Sequence, residues 1–112
     1  MDLLKVGVSP IRLFTFGSPR VGNPEFATYV SSKITDRYRV THHRDMVPHV
    51  PSHHRCTHLS GEYYQPGDEV NLLSCTGYED DNCSYQWRAT NIKDHLLYLG
   101  VVLGEKGCTA IL

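Results

Sequence analysis

No stretch of this sequence is strongly basic. Eleven Lys and Arg residues face twelve Asp and Glu, for a net charge of −1. The electrostatic footprint of a nucleic-acid-binding protein is therefore absent. No apolar run approaches the roughly 18 residues that a membrane span needs. No internal repeat, low-complexity tract or Gly/Ser linker divides the chain. The opening stretch MDLLKVGVSP is too short and too acidic for a secretory signal. The phosphate-cradling pattern G-x-x-x-x-G-K-[ST] does not occur, and neither does the nucleophilic-serine elbow G-x-S-x-G.

What is present fits one small globular domain. The chain has 112 residues, of which 40% are apolar, 21% charged and 10% aromatic. A chain of this length buries only roughly two-thirds of its extended surface, so its margin of stability is thin. Four cysteines occur, at Cys56, Cys75, Cys83 and Cys108. Cys75 and Cys83 bracket a polar loop, CTGYEDDNC. A disulfide there would contribute about 2.5 kcal/mol by loop closure and would place the chain in an oxidising compartment. The competing reading is a pair of free loop thiols, which would be open to oxidation.

The elements alternate. Residues 2–8 read as the end of a helix or a connector. Ile11 to Phe16 form a short strand, and GSPRVGNP is a turn in which Gly17 and Gly22 permit tight backbone and Pro19 fixes it. Asn23 reads as a helix N-cap with Pro24 and Glu25 in the first turn. Phe26, Ala27, Tyr29, Val30 and Ile34 then follow helical spacing. Tyr38 to His43 is a second strand, so the unit is a βαβ crossover with parallel strands. Pro48 and Pro51 stiffen the loop after it. HLSGEYY and EVNLL read as a hairpin about the type II turn QPGD. The last apolar stretch, NIKDHLLYLGVVL, reads as a short loop entering a helix with Asn91 or Asp94 at its cap. The fold class is α/β, but with so few strands and helices much of the sheet would lie open. The expected organisation is the C-terminal portion of a larger domain.

Two residues stand where α/β proteins place their chemistry. Asp45 follows a predicted parallel strand, at the carboxyl end where functional residues collect. His95 opens the last apolar segment, and histidine is the usual general base near neutral pH. Alone, each has a plainer reading, as a turn aspartate and as a histidine bonded to a carbonyl. Together they follow the chain order acid then histidine of a hydrolase triad. The nucleophile is missing. Ser18 lies in FGSPRVG, but its second glycine is at the wrong spacing for an elbow.

The segments LFTFGSPRVGNPEFA, YRVTHHRDMVPHVP, THLSGEYY, the C…GYEDDNCS loop and IKDHLLYLG strongly resemble the class 3, fungal-type triacylglycerol lipases of the α/β-hydrolase superfamily. The resemblance runs from Leu13 to Val101. It implies a sheet ending strand–helix–strand, then a hairpin and a helix. It implies that the D-x-V-P-H-x-P motif carries the triad aspartate at Asp45, and that D-H-x-x-Y carries the triad histidine at His95. The Cys75–Cys83 loop is similar to a disulfide of secreted members, and Cys108 matches a cysteine that pairs near the N-terminus in such lipases. The GHSLG serine of the family would lie upstream of residue 1. The implied activity is hydrolysis of acylglycerol esters at a lipid–water interface, by an extracellular enzyme without cofactor. The 112 residues alone would be inactive.

Two other readings compete. His42, His43, His49, His53, His54, His58 and Cys56 form a dense set of zinc or copper ligand types, but at no standard ligand spacing. The other is a lipase-derived remnant that only binds lipid or protein, a reading that gives Asp45 and His95 no task.

Overall fold

The computed structural model describes residues 2–111. A short helix α1 (Asp2–Lys5) precedes strand β1 (Arg12–Phe16), helix α2 (Pro24–Lys33) and strand β2 (Asp36–His42). Strands β3 (Glu62–Gln65) and β4 (Leu73–Ser74) complete a four-stranded sheet in the order β1-β2-β3-β4. The first three strands are parallel, and β4 is antiparallel to β3. The βαβ unit legible in the sequence is thus formed, in the register Phe14 to Tyr38 and Phe16 to Val40.

Helix α2 begins as its sequence dictates. Asn23 accepts a hydrogen bond from the Phe26 amide at 2.9 Å, and Pro24 opens the first turn. The helix turns Ala27, Val30 and the following Ile34 inward, and all three are buried; Val40 of β2 is buried as well. Tyr64 of β3 is also buried. Between α2 and β1 a groove of about 250 Å³ remains, lined by Leu13, Val21, Phe26, Val30 and Leu59. On the sheet, Phe14 stacks on Tyr38 at 4.8 Å, Tyr38 meets Tyr63 at 5.6 Å with the rings tilted by 34°, and Phe14 stays 52% exposed.

Two expected elements differ. The β3–β4 hairpin does not turn tightly at QPGD, because Gly67 does not take the positive φ that a type II turn requires. The connection spans residues 66–72 instead, and β3 starts only after Gly61 at φ +96. The final apolar stretch is not a helix. Lys93–Leu96 form one 3₁₀ turn, and strands β5 (Leu97–Tyr98) and β6 (Val101–Val102) make a small hairpin. Leu99 (φ 51) and Gly100 (φ 78) supply the two positive φ angles of a type I′ turn, and the valines favour a strand. The last helix, α3 (Glu105–Ile111), comes after Gly104.

Replacing the cap in Asn23→Ala is expected to lower the unfolding free energy of the chain by about 1 kcal/mol. Urea denaturation followed by circular dichroism measures this.

Candidate active site

Strand β2 delivers Asp45. The strand ends at His42, His43 reverses the backbone at φ 38, and the Asp45 amide bonds back to the His42 carbonyl at 2.9 Å. The Asp45 side chain is left with no exposed surface. A buried carboxylate is costly unless donors surround it. The Val47 amide donates to Oδ1 at 2.8 Å, His95 Nδ1 donates to Oδ2 at 2.9 Å, and the Tyr98 hydroxyl donates to the same Oδ2. A carboxylate only accepts, so the ring proton of His95 sits on Nδ1 and Nε2 is left as the free acceptor. Burial, then the bond to Asp45, pushes the Tyr98 phenol far above its ordinary range. It remains a donor at every physiological pH.

His95 reaches Asp45 because two loops are zipped together. Asn91 donates its amide to the Arg44 carbonyl at 2.8 Å and accepts from the Met46 amide at 2.9 Å. The Asp94 carboxylate accepts from the Arg44 amide at 3.1 Å and from Asn91 Nδ2 at 3.0 Å. Burial alone would raise the Asp94 carboxyl, but the bonds from Asn91 and Arg44 hold it below its ordinary value. His42, fully buried, donates from Nδ1 to the Asp94 carbonyl at 2.8 Å.

Gly17 leaves the space for this assembly. It follows β1 at φ +64. A Cβ there would lie 2.6 Å from Asp45 Oδ2, 2.7 Å from the Tyr98 hydroxyl and 2.8 Å from His95 Nδ1. Only glycine suits both the backbone angle and the space.

Farther along the acid loop, His58 donates from Nε2 to the Pro48 carbonyl at 2.6 Å. Burial, followed by the charge of Arg39, pulls its imidazolium down to about 4. His49 is lowered as well, by burial and then by Arg20. The histidines do not converge on a common point. Among the described residues the one grouping of metal-ligand types is Glu62, Cys75 and Cys83. There the two sulfurs are bonded to each other, and Glu62 is engaged by Thr41 and Arg39. Cys56 and Cys108 are free. Ser18 does not join Asp45 and His95; its hydroxyl donates to the Pro19 carbonyl.

The profile of the family Lipase (class 3) matches residues 1–54. A lipase of Rhizopus niveus is 39% identical over 98 residues, covering 85% of this chain and 25% of that protein. The secreted mono- and diacylglycerol lipase 1 of Fusarium solani is 34% identical, covering 80% of this chain and 29% of that one. The solved structure of lipase II from Rhizopus niveus superposes with a TM-score of 0.83 at 38% identity, over 96% of this chain and 43% of that one. The chain belongs with the class 3 lipases. A solved triacylglycerol lipase whose catalytic centre is a serine protease triad also matches, with a TM-score of 0.75 and 33% identity, over 90% of this chain and 41% of that one. The sheet is accordingly part of the α/β-hydrolase architecture. The chain spans about a quarter of the length of the curated lipases it matches.

The lipase-like sequence motifs single out Asp45 and His95, and the structure brings these two into contact. The pattern D-H-x-x-Y includes Tyr98 without showing its task. His95 lies in the 3₁₀ turn and Tyr98 in strand β5, so no helical spacing links them in the sequence, and the signal that remains is the shared D-H-x-x-Y motif. Gly17 carries a hint only in its position just after a strand.

Two outcomes follow. Gly17→Ala is expected to lower stability by about 1–3 kcal/mol through overlap and backbone strain, as chemical denaturation reports. His58 is held neutral in the fold, so its contribution is complete above the unfolded pKa near 6.5 and is lost as pH falls toward about 4. Stability should therefore drop by about 3 kcal/mol across that window, and His58→Gln should flatten the fall in a series of denaturation curves.

Proposed function

We propose that this chain carries the acid and the base of a serine ester hydrolase acting on acylglycerols at a lipid–water interface. The contact of Asp45 with His95 carries this reading: a fully buried carboxylate fixes the imidazole tautomer and leaves Nε2 free to act. The family supports the ester chemistry. The nucleophile is a serine supplied from outside these 112 residues. Its hydroxyl proton passes to His95 Nε2 as Oγ bonds to the ester carbonyl carbon. His95 then returns that proton to the departing alcohol. Water, deprotonated in the same way, releases the fatty acid and restores the serine. Asp45 stays ionised throughout and stabilises the transient imidazolium, with Tyr98 holding the carboxylate in place. The scheme draws on no metal or organic cofactor.

The site of action is extracellular. The Cys75–Cys83 disulfide favours an oxidising compartment, and the similar Fusarium protein is named as secreted.

In a protein that joins the serine-bearing segment to this chain, Asp45→Asn or His95→Ala should lower kcat by roughly 10³-fold or more, measured on emulsified acylglycerol by titration of released acid. Near-normal turnover in the His95 variant would overturn the assignment. The 112 residues alone should show no ester turnover above background.

A further inference from the structure

Beyond the Asp45–His95 pair, a second buried charge sits at Arg20. Its side chain is 2% exposed. Nε and Nη2 donate to the two carboxylate oxygens of Glu79 at 2.7 and 3.1 Å. Nη1 donates to the carbonyls of His49 at 2.6 Å and Pro51 at 2.8 Å, and the Arg20 amide donates to the Val50 carbonyl at 2.9 Å. One side chain thus grips the far end of the loop that begins at Asp45. Arg20 also belongs to the turn that starts at Gly17, against which Asp45 and His95 are packed. Glu79 comes from a third place, the loop closed by Cys75 and Cys83. That loop is ordered from within, because Asp80 accepts from the amides of Thr76 at 2.8 Å and Asn82 at 2.9 Å.

We propose that Glu79 is a positioning residue for the Asp45–His95 pair, acting through Arg20, and that the Cys75–Cys83 bond is the staple that keeps Glu79 in place. The proposal rests on the triad reading above. Glu79 touches neither Asp45 nor His95. Without its carboxylate, Arg20 holds a buried charge with no counter-ion, and such a charge turns toward water. The two carbonyls that Nη1 holds are then released. The loop from Asp45 to Pro51 loosens, and with it the Val47 amide that fixes Asp45 Oδ1. Opening the disulfide reaches the same end, because Glu79 then hangs on an unclosed loop and no longer arrives preorganised.

Two exchangeable protons in the 112-residue chain read the two halves of this separately by NMR. The Arg20 amide, bonded to Val50, reports the grip on the loop. The Nδ1 proton of His95, expected downfield of the amides and lost in Asp45→Asn, reports the pair. In Glu79→Ala both should exchange with water roughly tenfold faster, and Glu79→Gln, which keeps one acceptor, should fall between. Dithiothreitol converts the disulfide to two thiols and becomes its own cyclic disulfide. In the wild type it should speed both protons to a similar degree. In Glu79→Ala it should add less than about twofold, since both changes act through one link. An Arg20 amide that speeds up while the His95 proton does not would make Glu79 merely structural and overturn the proposal, as would no change in either. Fully additive effects would overturn the role of the disulfide. A wild-type chain whose downfield proton is missing, or survives Asp45→Asn, would instead overturn the Asp45–His95 reading and the proposal built on it.

Discussion

The burial of the Asp45 carboxylate constrains the rest of this structure. An ionised group with no surface in water needs its donors in place before the fold closes around it. For Asp45 those donors are the Val47 amide, the His95 imidazole and the Tyr98 hydroxyl, the last of them 53 residues away along the chain. The segment around residues 91–98 therefore cannot settle independently of the end of β2. The parallel bridge between Asp45 and Asn91, and the bonds from Arg44 and His42 to Asp94, are the means by which these distant segments are held in one geometry. Gly17 completes the constraint by leaving its own side unfilled.

A second constraint is the shortage of apolar core. The buried positions include Arg20, Arg39, Glu62, His58 and Gln65 beside the few aliphatic and aromatic residues. Arg39 and Glu62 pair at 3.4 Å, Thr41 donates to Glu62 at 2.6 Å, and the Arg39 guanidinium also reaches the Leu59 carbonyl. Such networks add little net stability compared with well-packed hydrocarbon, and they are costly to break in half. Their directionality serves here to tie β2 and β3 to the segments at Leu59, Tyr78 and Ser84.

Local signals in the sequence were strong where a single interaction decides the structure. Asn23 and Pro24 start a helix because a side-chain oxygen and a fixed φ suffice. Asp45 and His95 were legible because their motifs are short and ordered along the chain. The apolar run from His95 to Leu103 was not. Its composition fits a helix or a hairpin equally, and the decision rests on Leu99 accepting a positive φ beside Gly100. The turn after Gln65 failed for a similar reason, since Pro66 and Gly67 permit a tight reversal that the tertiary contacts do not use. Arg20 and Glu79 were silent, because a salt bridge across 59 residues leaves no periodic trace in either segment.

The outer edge of β1 has a consequence for what the sheet can take up. Among the described residues that strand has a partner on one side only, and beside it the rings of Phe14, Tyr38 and Tyr63 run across the strands as a partly wetted ribbon. A row of open backbone donors and acceptors next to an aromatic surface is a template for strand addition. Such an edge can take a further strand in register with β1, with the aromatic rings lying alongside it.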